Sequence, residues 1–166
     1  NALLIGLGGA GGAVATYFTD AVGRLTLANR TQVTATDFAM RLSDQIDVPV
    51  DVIDLPPSAD LMAKCDLLIN CSSVGHEGGA AASASPLGAE SEALLAAMPA
   101  GSIVYDIIYQ PLQTPLLTQS AARGLTSVNG LAMNLDQAVI AFDKANPGAL
   151  AMAEIRNIMT EAGKQG

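Results

Sequence analysis

Tryptophan is absent from this chain of 166 residues, and three Tyr and three Phe are its only aromatic side chains. So few flat rings exclude a stacking platform for bases. Two cysteines, Cys65 and Cys71, are too few for a disulfide framework or a four-ligand metal site, and both are expected to stay reduced. His76 is the only histidine. Basic residues are also scarce, with eight Lys and Arg against sixteen Asp and Glu and a net charge of −8. That balance argues against nucleic acid or an anionic membrane held by bulk electrostatics. No apolar run approaches the roughly eighteen residues of a membrane span. Residues 1–5 carry no basic region and run straight into glycines, unlike a signal peptide. These absences point to the cytoplasm, with neither a membrane partner nor a metal.

What remains is an apolar chain, 50% hydrophobic with a mean hydropathy of +0.36. The composition excludes intrinsic disorder. Its Ala, Leu, Ile and Val are the palette of a parallel sheet covered by helices, and the length suits a single domain over residues 1–166.

The pattern along the chain supports that class. Ala2–Gly6 is a continuous apolar run that predicts a strand buried on both faces. Further strands are expected at Leu25–Ala28, Val50–Ile53, Asp66–Asn70, Ser102–Asp106 and Thr126–Val128. Helices are expected at Ala10–Thr19, Thr34–Ser43 with Thr34 as N-cap, Ala59–Lys64, Ser91–Met98 and Pro115–Arg123. Leu131–Asn146 carries an apolar stripe of Leu131, Leu135, Ala138, Val139 and Phe142, and a last helix is expected from Pro147 to Ala162. Gly78–Pro86 reads as a flexible surface loop. Strands alternating with helices predict an α/β doubly wound Rossmann fold, a six-stranded parallel sheet in the order 3-2-1-4-5-6 with helices on both faces.

Directly after the first strand, Gly6, Gly8 and Gly11 form G-x-G-x-x-G at the start of a helix, with Gly9 and Ala10 inside the turn. Each glycine has its own reason. Gly6 permits the tight turn, Gly8 lets the backbone approach a pyrophosphate, and Gly11 lets the helix pack on the sheet. The helix N-terminus then offers free N–H groups to the anion. At the end of the second strand an NAD site needs a carboxylate, but the chain reads Asn29-Arg30-Thr31. A neutral amide, a cation and a hydroxyl suit a 2′-phosphate, which argues for NADP as cofactor.

Gly8-Gly9-Ala10-Gly11 with Asn29-Arg30-Thr31 resembles the cofactor domain of the shikimate dehydrogenase family. Three later stretches resemble the same family in the same order. They are Ile69-Asn70-Cys71-Ser72-Ser73-Val74-Gly75, Tyr105–Leu117 (YDIIYQPLQTPLL), and Asn129-Gly130-Leu131-Ala132-Met133 with Gln137. The resemblance runs from Leu3 to Phe142 and implies NADPH-dependent reduction of 3-dehydroshikimate to shikimate. It places Asn70 and Ser72 along the cofactor, Ile107, Gly130 and Met133 about the nicotinamide, and Tyr109 and Gln137 on the substrate, a shikimate-like hydroxy acid. It is also compatible with a homodimer.

The chain departs from the family pattern at Gly12 and Thr34, where basic residues are usual, and at His76, where Met or Leu is common. The cofactor site is accordingly expected to be less cationic than is typical. No catalytic residue is assigned. The Lys–Asp pair implied by the resemblance has no counterpart, because Lys64, Lys144 and Lys164 lie outside every matching motif. The start at Asn1, without Met, therefore reads as a cut at a domain boundary, with the catalytic domain missing and the last helix expected to pack on it. Two alternatives stay open: a non-catalytic nucleotide-binding regulatory module, and a quinate/shikimate branch that uses NAD. A glutamyl-tRNA reductase-like or methylene-tetrahydrofolate dehydrogenase-like domain is disfavoured by the Tyr109 and Gly130–Gln137 segments.

Overall fold

Leu3, Leu4 and Ile5 in the first strand are all fully buried, so the strand must be covered on both faces. In the computed structural model, which describes residues 1–163, this strand, β1 (Ala2–Ile5), lies inside a parallel sheet. The sheet order is β3-β2-β1-β4-β5-β6, as the alternating pattern predicts. The other strands are β2 (Leu25–Ala28), β3 (Val50–Ile53), β4 (Leu67–Asn70), β5 (Ile103–Asp106) and β6 (Thr126–Val128).

Alternation along β1 divides the core in two. Ala2 and Leu4 face one layer with Leu25, Leu27 and Ile69, against Ala15 of α1 (Gly9–Phe18) and Ala39 and Leu42 of α2 (Gln32–Ser43). Leu3 and Ile5 face the other with Leu68 and Val104. That layer packs on α3 (Ala59–Met62), α4 (Ser91–Ala97) and α5 (Pro115–Ala122) through Met62, Leu95, Leu116 and Leu117. Each fully buried Leu or Ile contributes about 1.5–3 kcal/mol of transfer free energy.

The chain falls into two compact units, Asn1–Asn129 and the residues from Gly130 onward. The first contains the whole sheet. The second is a helical pair, α6 (Leu131–Ala145) and α7 (Met152–Gly163), in which Arg156 of α7 donates to the Asp136 carboxylate of α6. Lys164 lies outside the described residues.

Several local expectations change. Thr34 is not the cap of α2: the helix opens three residues earlier with Thr31 at the N-cap, and Thr34 N–H already donates to the Thr31 carbonyl. Pro147 does not start the last helix. Gly148 takes φ +74°, a left-handed conformation that keeps the chain in a turn until α7 begins at Met152. Of the α6 stripe only Val139 is fully buried, while Leu131 and Phe142 are exposed. On α7, Ile155 is buried and Ile158 exposed. The loop ending at Pro86 is less free than its composition suggests. Ser85 Oγ lies 2.7 Å from Ser91 Oγ, which donates to Gln119 at 2.6 Å, and both Pro86 and Leu87 are buried.

Candidate functional site

Ala28, Ile5, Asn70 and Asp106 are the last residues of β2, β1, β4 and β5, and they stand in one row across the sheet. The four segments leaving that row, 29–31, 6–8, 71–75 and 107–113, therefore emerge side by side. This carboxyl edge is where open parallel sheets bind ligands.

The three glycines of the turn differ in their surroundings. Gly6 has φ +94°, and a Cβ there would lie 2.7 Å from the Ser72 backbone nitrogen. Gly6 thus serves both the turn and the close approach of segment 71–72. A Cβ on Gly11 would lie 1.9 Å from the Gly6 carbonyl oxygen, so α1 can start against the turn only with glycine at that position. Gly8 differs from both. It is exposed, and a Cβ on it would meet nothing within 4 Å, which leaves an open approach to the amino end of α1. Gly9 and Ala10 are exposed beside it.

Asn29 ties the second segment to the first. Its Oδ1 accepts from Leu7 N–H at 3.0 Å, and its Nδ2 donates to the Thr31 carbonyl at 3.0 Å. Arg30 and Thr31 are exposed at the amino end of α2, where the helix dipole favours an anion. Gly12 faces the Phe38 ring, with a would-be Cβ 3.2 Å from Cε2. A side chain at position 12 would therefore press on that ring.

The segments after β1, β2 and β4 line a cleft of about 430 Å³ through Gly6, Gly8, Asn29, Arg30, Thr31 and Ser72, among others, whereas Ile107 and Tyr109 of the fourth segment lie outside its lining. Among the described residues, Arg30 is the only charged one in its lining. A larger cavity of about 640 Å³ opens at the other end of the strands, where Arg24 is paired with Asp51. It contains none of the motif residues, so its size does not make it the better candidate.

Asn70 is fully buried and organises the turn after β4. Its Oδ1 accepts from Ser72 N–H at 3.0 Å and Ser72 Oγ at 2.7 Å, and its Nδ2 donates to the Val74 carbonyl at 3.3 Å. Nδ2 also reaches Asp106 Oδ1 at 3.0 Å. Burial raises the Asp106 carboxyl above its usual value, partly offset by hydrogen bonds from Thr114, Ile108 and Asn70. Asp106 and Thr114 carry no role in the motif reading. The available signals were a carboxylate ending an apolar strand and a Thr-Pro pair opening a helix. Leu55 and Pro86, also in the cleft lining, gave no such signal.

Ile107 follows directly on β5 and is half-buried, and Tyr109 stands exposed on the next loop. His76 is exposed after the 71–75 turn. Gly130, Met133 and Gln137 belong to the second unit: Gly130 is the buried N-cap of α6, Met133 is half-buried and Gln137 exposed. Cys71 lines the cleft but is an inert thiol, since burial pushes it up to about 12, with the nearby Asp106 charge adding to the effect. Among the described residues no cluster of His, Cys, Asp or Glu could hold a metal ion, and no helix is long and apolar enough to cross a membrane.

Comparison with known proteins agrees with the motif reading. The shikimate dehydrogenase (NADP(+)) of Nitrobacter winogradskyi is 38% identical over 144 residues, covering 86% of this chain and 47% of the relative. That of Paramagnetospirillum magneticum is 40% identical over 143 residues, again covering 86% and 47%. The chain therefore spans about half the length of the curated relatives it matches. Among solved structures, shikimate 5-dehydrogenase of Thermus thermophilus, in complex with NADP(H) and shikimate, aligns with TM-score 0.70 and 28% identity over 97% of this chain and 54% of that one. The quinate dehydrogenase of Corynebacterium glutamicum, in complex with NAD, shares the fold with TM-score 0.77 at 23% identity, covering 96% and 54%. No family model matches the chain.

Proposed function

We infer the role of this chain from its place as a relative of the shikimate dehydrogenases, whose carboxyl-terminal half it matches: it holds NADP(H) for the reduction of 3-dehydroshikimate to shikimate by a longer protein. The observation that carries this reading is the Leu7–Asn29 hydrogen bond. It joins the glycine turn to a loop with a cation and no carboxylate, so one cleft offers both a pyrophosphate approach and a 2′-phosphate site.

The residues present suit the cofactor. Free N–H groups at the start of α1 would take the pyrophosphate through the open face of Gly8. Gly6, Gly9, Ala10 and Gly11 form the turn that makes this approach. Arg30 would pair with the 2′-phosphate in a charge-assisted bond, Thr31 would donate its hydroxyl, and Asn29 would hold the loop. Ser72 would form the wall along the cofactor, held from behind by the buried Asn70, with Ile107 beside the nicotinamide and Tyr109 toward the substrate. Gly130, Met133 and Gln137 are assigned to nicotinamide and substrate by motif resemblance alone. When bound, NADPH supplies the hydride. The proton for the carbonyl oxygen requires a donor absent from these motifs, which we assign to the half of the relatives that this chain does not span.

Two free, buried cysteines support a reducing compartment, the cytoplasm. The net charge of −8 supports a small-molecule partner over nucleic acid. A homodimer is the assembly proposed for the whole protein, from the resemblance alone. The test is calorimetric titration of the chain with NADPH, NADP and NAD, followed by a shikimate oxidation assay on the whole gene product. Saturable NADPH binding by the chain with turnover only in the whole protein is expected. Absence of binding to every dinucleotide overturns the reading.

A further inference from the structure

A buried carboxylate beside the candidate site has no role in that reading. Asp106 is fully buried at the end of β5 and, among the described residues, takes part in no ion pair. Neutral donors satisfy it instead. Oδ1 accepts from Asn70 Nδ2 at 3.0 Å and from Ile108 N–H at 3.1 Å, while Oδ2 accepts from Thr114 Oγ1 at 2.8 Å. Burying a carboxylate without a cation is an expensive way to cap a helix or close a loop. The three donors indicate what the arrangement accomplishes.

Each donor leads to a different part of the site. Asn70 carries the bond network into the 71–75 turn, holding Ser72 N–H and Oγ with its own Oδ1. Ser72 Oγ then accepts from Val74 N–H at 3.3 Å. Ser72 is the residue against which Gly6 closes. Ile108 begins the loop that bears Tyr109. Thr114 ends that loop and caps α5, accepting from Leu117 N–H at 3.3 Å. The loop is thus fastened at both ends to one carboxylate, and the same carboxylate fastens the turn across the cleft wall. Between those ends, Glu77 N–H donates to the Gln110 carbonyl at 2.9 Å, a second tie from the loop to the chain just after the turn.

We propose that Asp106 is a positioning residue that sets the 71–75 turn and the 107–113 loop in one register, so that the cofactor wall and the substrate-facing Tyr109 are built from a single anchor. The proposal rests on the NADP(H) and shikimate reading for its functional meaning. Its structural content, a shared anchor for two segments, stands apart from it. Alanine at position 106 offers no acceptor at all, so Asp106→Ala releases all three donors together.

The experiment is hydrogen exchange on the ligand-free whole protein, paired with NADPH binding and shikimate kinetics. Asp106→Ala is expected to speed amide exchange in 71–75 and 108–113 together, to weaken NADPH binding about tenfold, and to lower kcat/KM for shikimate further. Thr114→Val releases the Oδ2 side of the carboxylate, and with it the cap on Leu117 N–H at the start of α5. It is expected to speed exchange in 108–113 and raise the shikimate KM while leaving NADPH affinity within about twofold. Ser102→Ala removes a buried bond to the Cys65 carbonyl at the opposite edge of the sheet and is the stability control, moving Tm but neither segment. If Asp106→Ala loosens only one segment, or lowers Tm like the control with exchange unchanged in both, the shared anchor is wrong. If both segments loosen but the unsubstituted protein binds no NADPH, the functional reading fails and the anchor stands. Should Asp106→Ala not fold, the Asn70→Ala and Thr114→Val cycle reads the same point: non-additive exchange effects support a shared anchor, and strict additivity overturns it.

Discussion

Asn29 spans the gap between the ends of β2 and β1, its side-chain oxygen 3.0 Å from the Leu7 nitrogen inside the glycine turn. The bond needs only an acceptor, so Asn29→Asp preserves it while removing the donation to the Thr31 carbonyl. The new charge would face the 2′-phosphate site. An unchanged fold by circular dichroism is expected, with NADP affinity lowered about tenfold or more and NAD affinity retained. Equal losses for both cofactors would place the 2′-phosphate elsewhere.

Two glycines only three residues apart should respond in opposite ways to the same methyl group. Gly11→Ala puts a Cβ 1.9 Å from the Gly6 carbonyl oxygen, so the turn or α1 must move. An overpacking loss of about 1–3 kcal/mol or more is expected in urea unfolding. Gly8→Ala meets no protein atom within 4 Å, so stability should hold while dinucleotide affinity falls. If Gly8→Ala binds normally, the pyrophosphate does not approach there.

Arg30 is the charged member of the cleft lining, and Arg30→Ala should weaken NADP binding far more than NAD binding. A loss of about 1.5–3 kcal/mol, confined to the phosphorylated cofactor, is expected from calorimetry at low salt. Parallel losses for both cofactors would assign Arg30 to the pyrophosphate instead.

Burial holds the Asp106 carboxyl above its usual 3.8, against the opposing pull of the Thr114, Ile108 and Asn70 bonds. The native state therefore keeps this proton to higher pH than the unfolded chain. The stabilisation linked to it is fully present below 3.8 and is lost as pH rises through the native value. Asp106→Asn removes that titration. Across the acid range the stability of the unsubstituted protein, relative to the variant, should fall with rising pH in urea unfolding. A relative stability that rises with pH would show that the three donors outweigh desolvation.

Both thiols should be silent toward thiol reagents in the native protein. Burial pushes Cys65 up to about 11 and Cys71 up to about 12. At neutral pH only about one molecule in ten thousand or fewer then carries a thiolate at either site. Titration with a chromogenic disulfide should register almost no thiol before urea and both after it. Rapid native labelling of Cys71 would mean that the 71–75 turn opens.

Much of this architecture can be read from local chemistry. Buried strands announce themselves by apolar runs such as Ala2–Ile5, and the glycine spacing at residues 6, 8 and 11 marks three positions with distinct surroundings in the structure. Helix boundaries were harder. Thr31 and Thr34 are equally good caps by residue type, and the choice depends on how Asn29 pins the loop before them. Pro147 is a sound helix opener, but the φ of Gly148 decides against it. The role of Asp106 was hidden because its three donors come from β4, the following loop and α5, so no single stretch of sequence contains the pattern.

In the proposed reading Arg30 would meet the dinucleotide from within a chain of net charge −8. A dinucleotide carrying several phosphates is repelled by the molecule at long range and attracted only within reach of one guanidinium. Salt acts on the two ranges unequally, because the Debye length shrinks from about 30 Å at 0.01 M to about 8 Å at physiological strength. Added electrolyte lowers the distant barrier before it weakens the contact. Capture should therefore quicken with ionic strength while residence shortens, the reverse of the steering seen where a basic surface receives an acidic ligand.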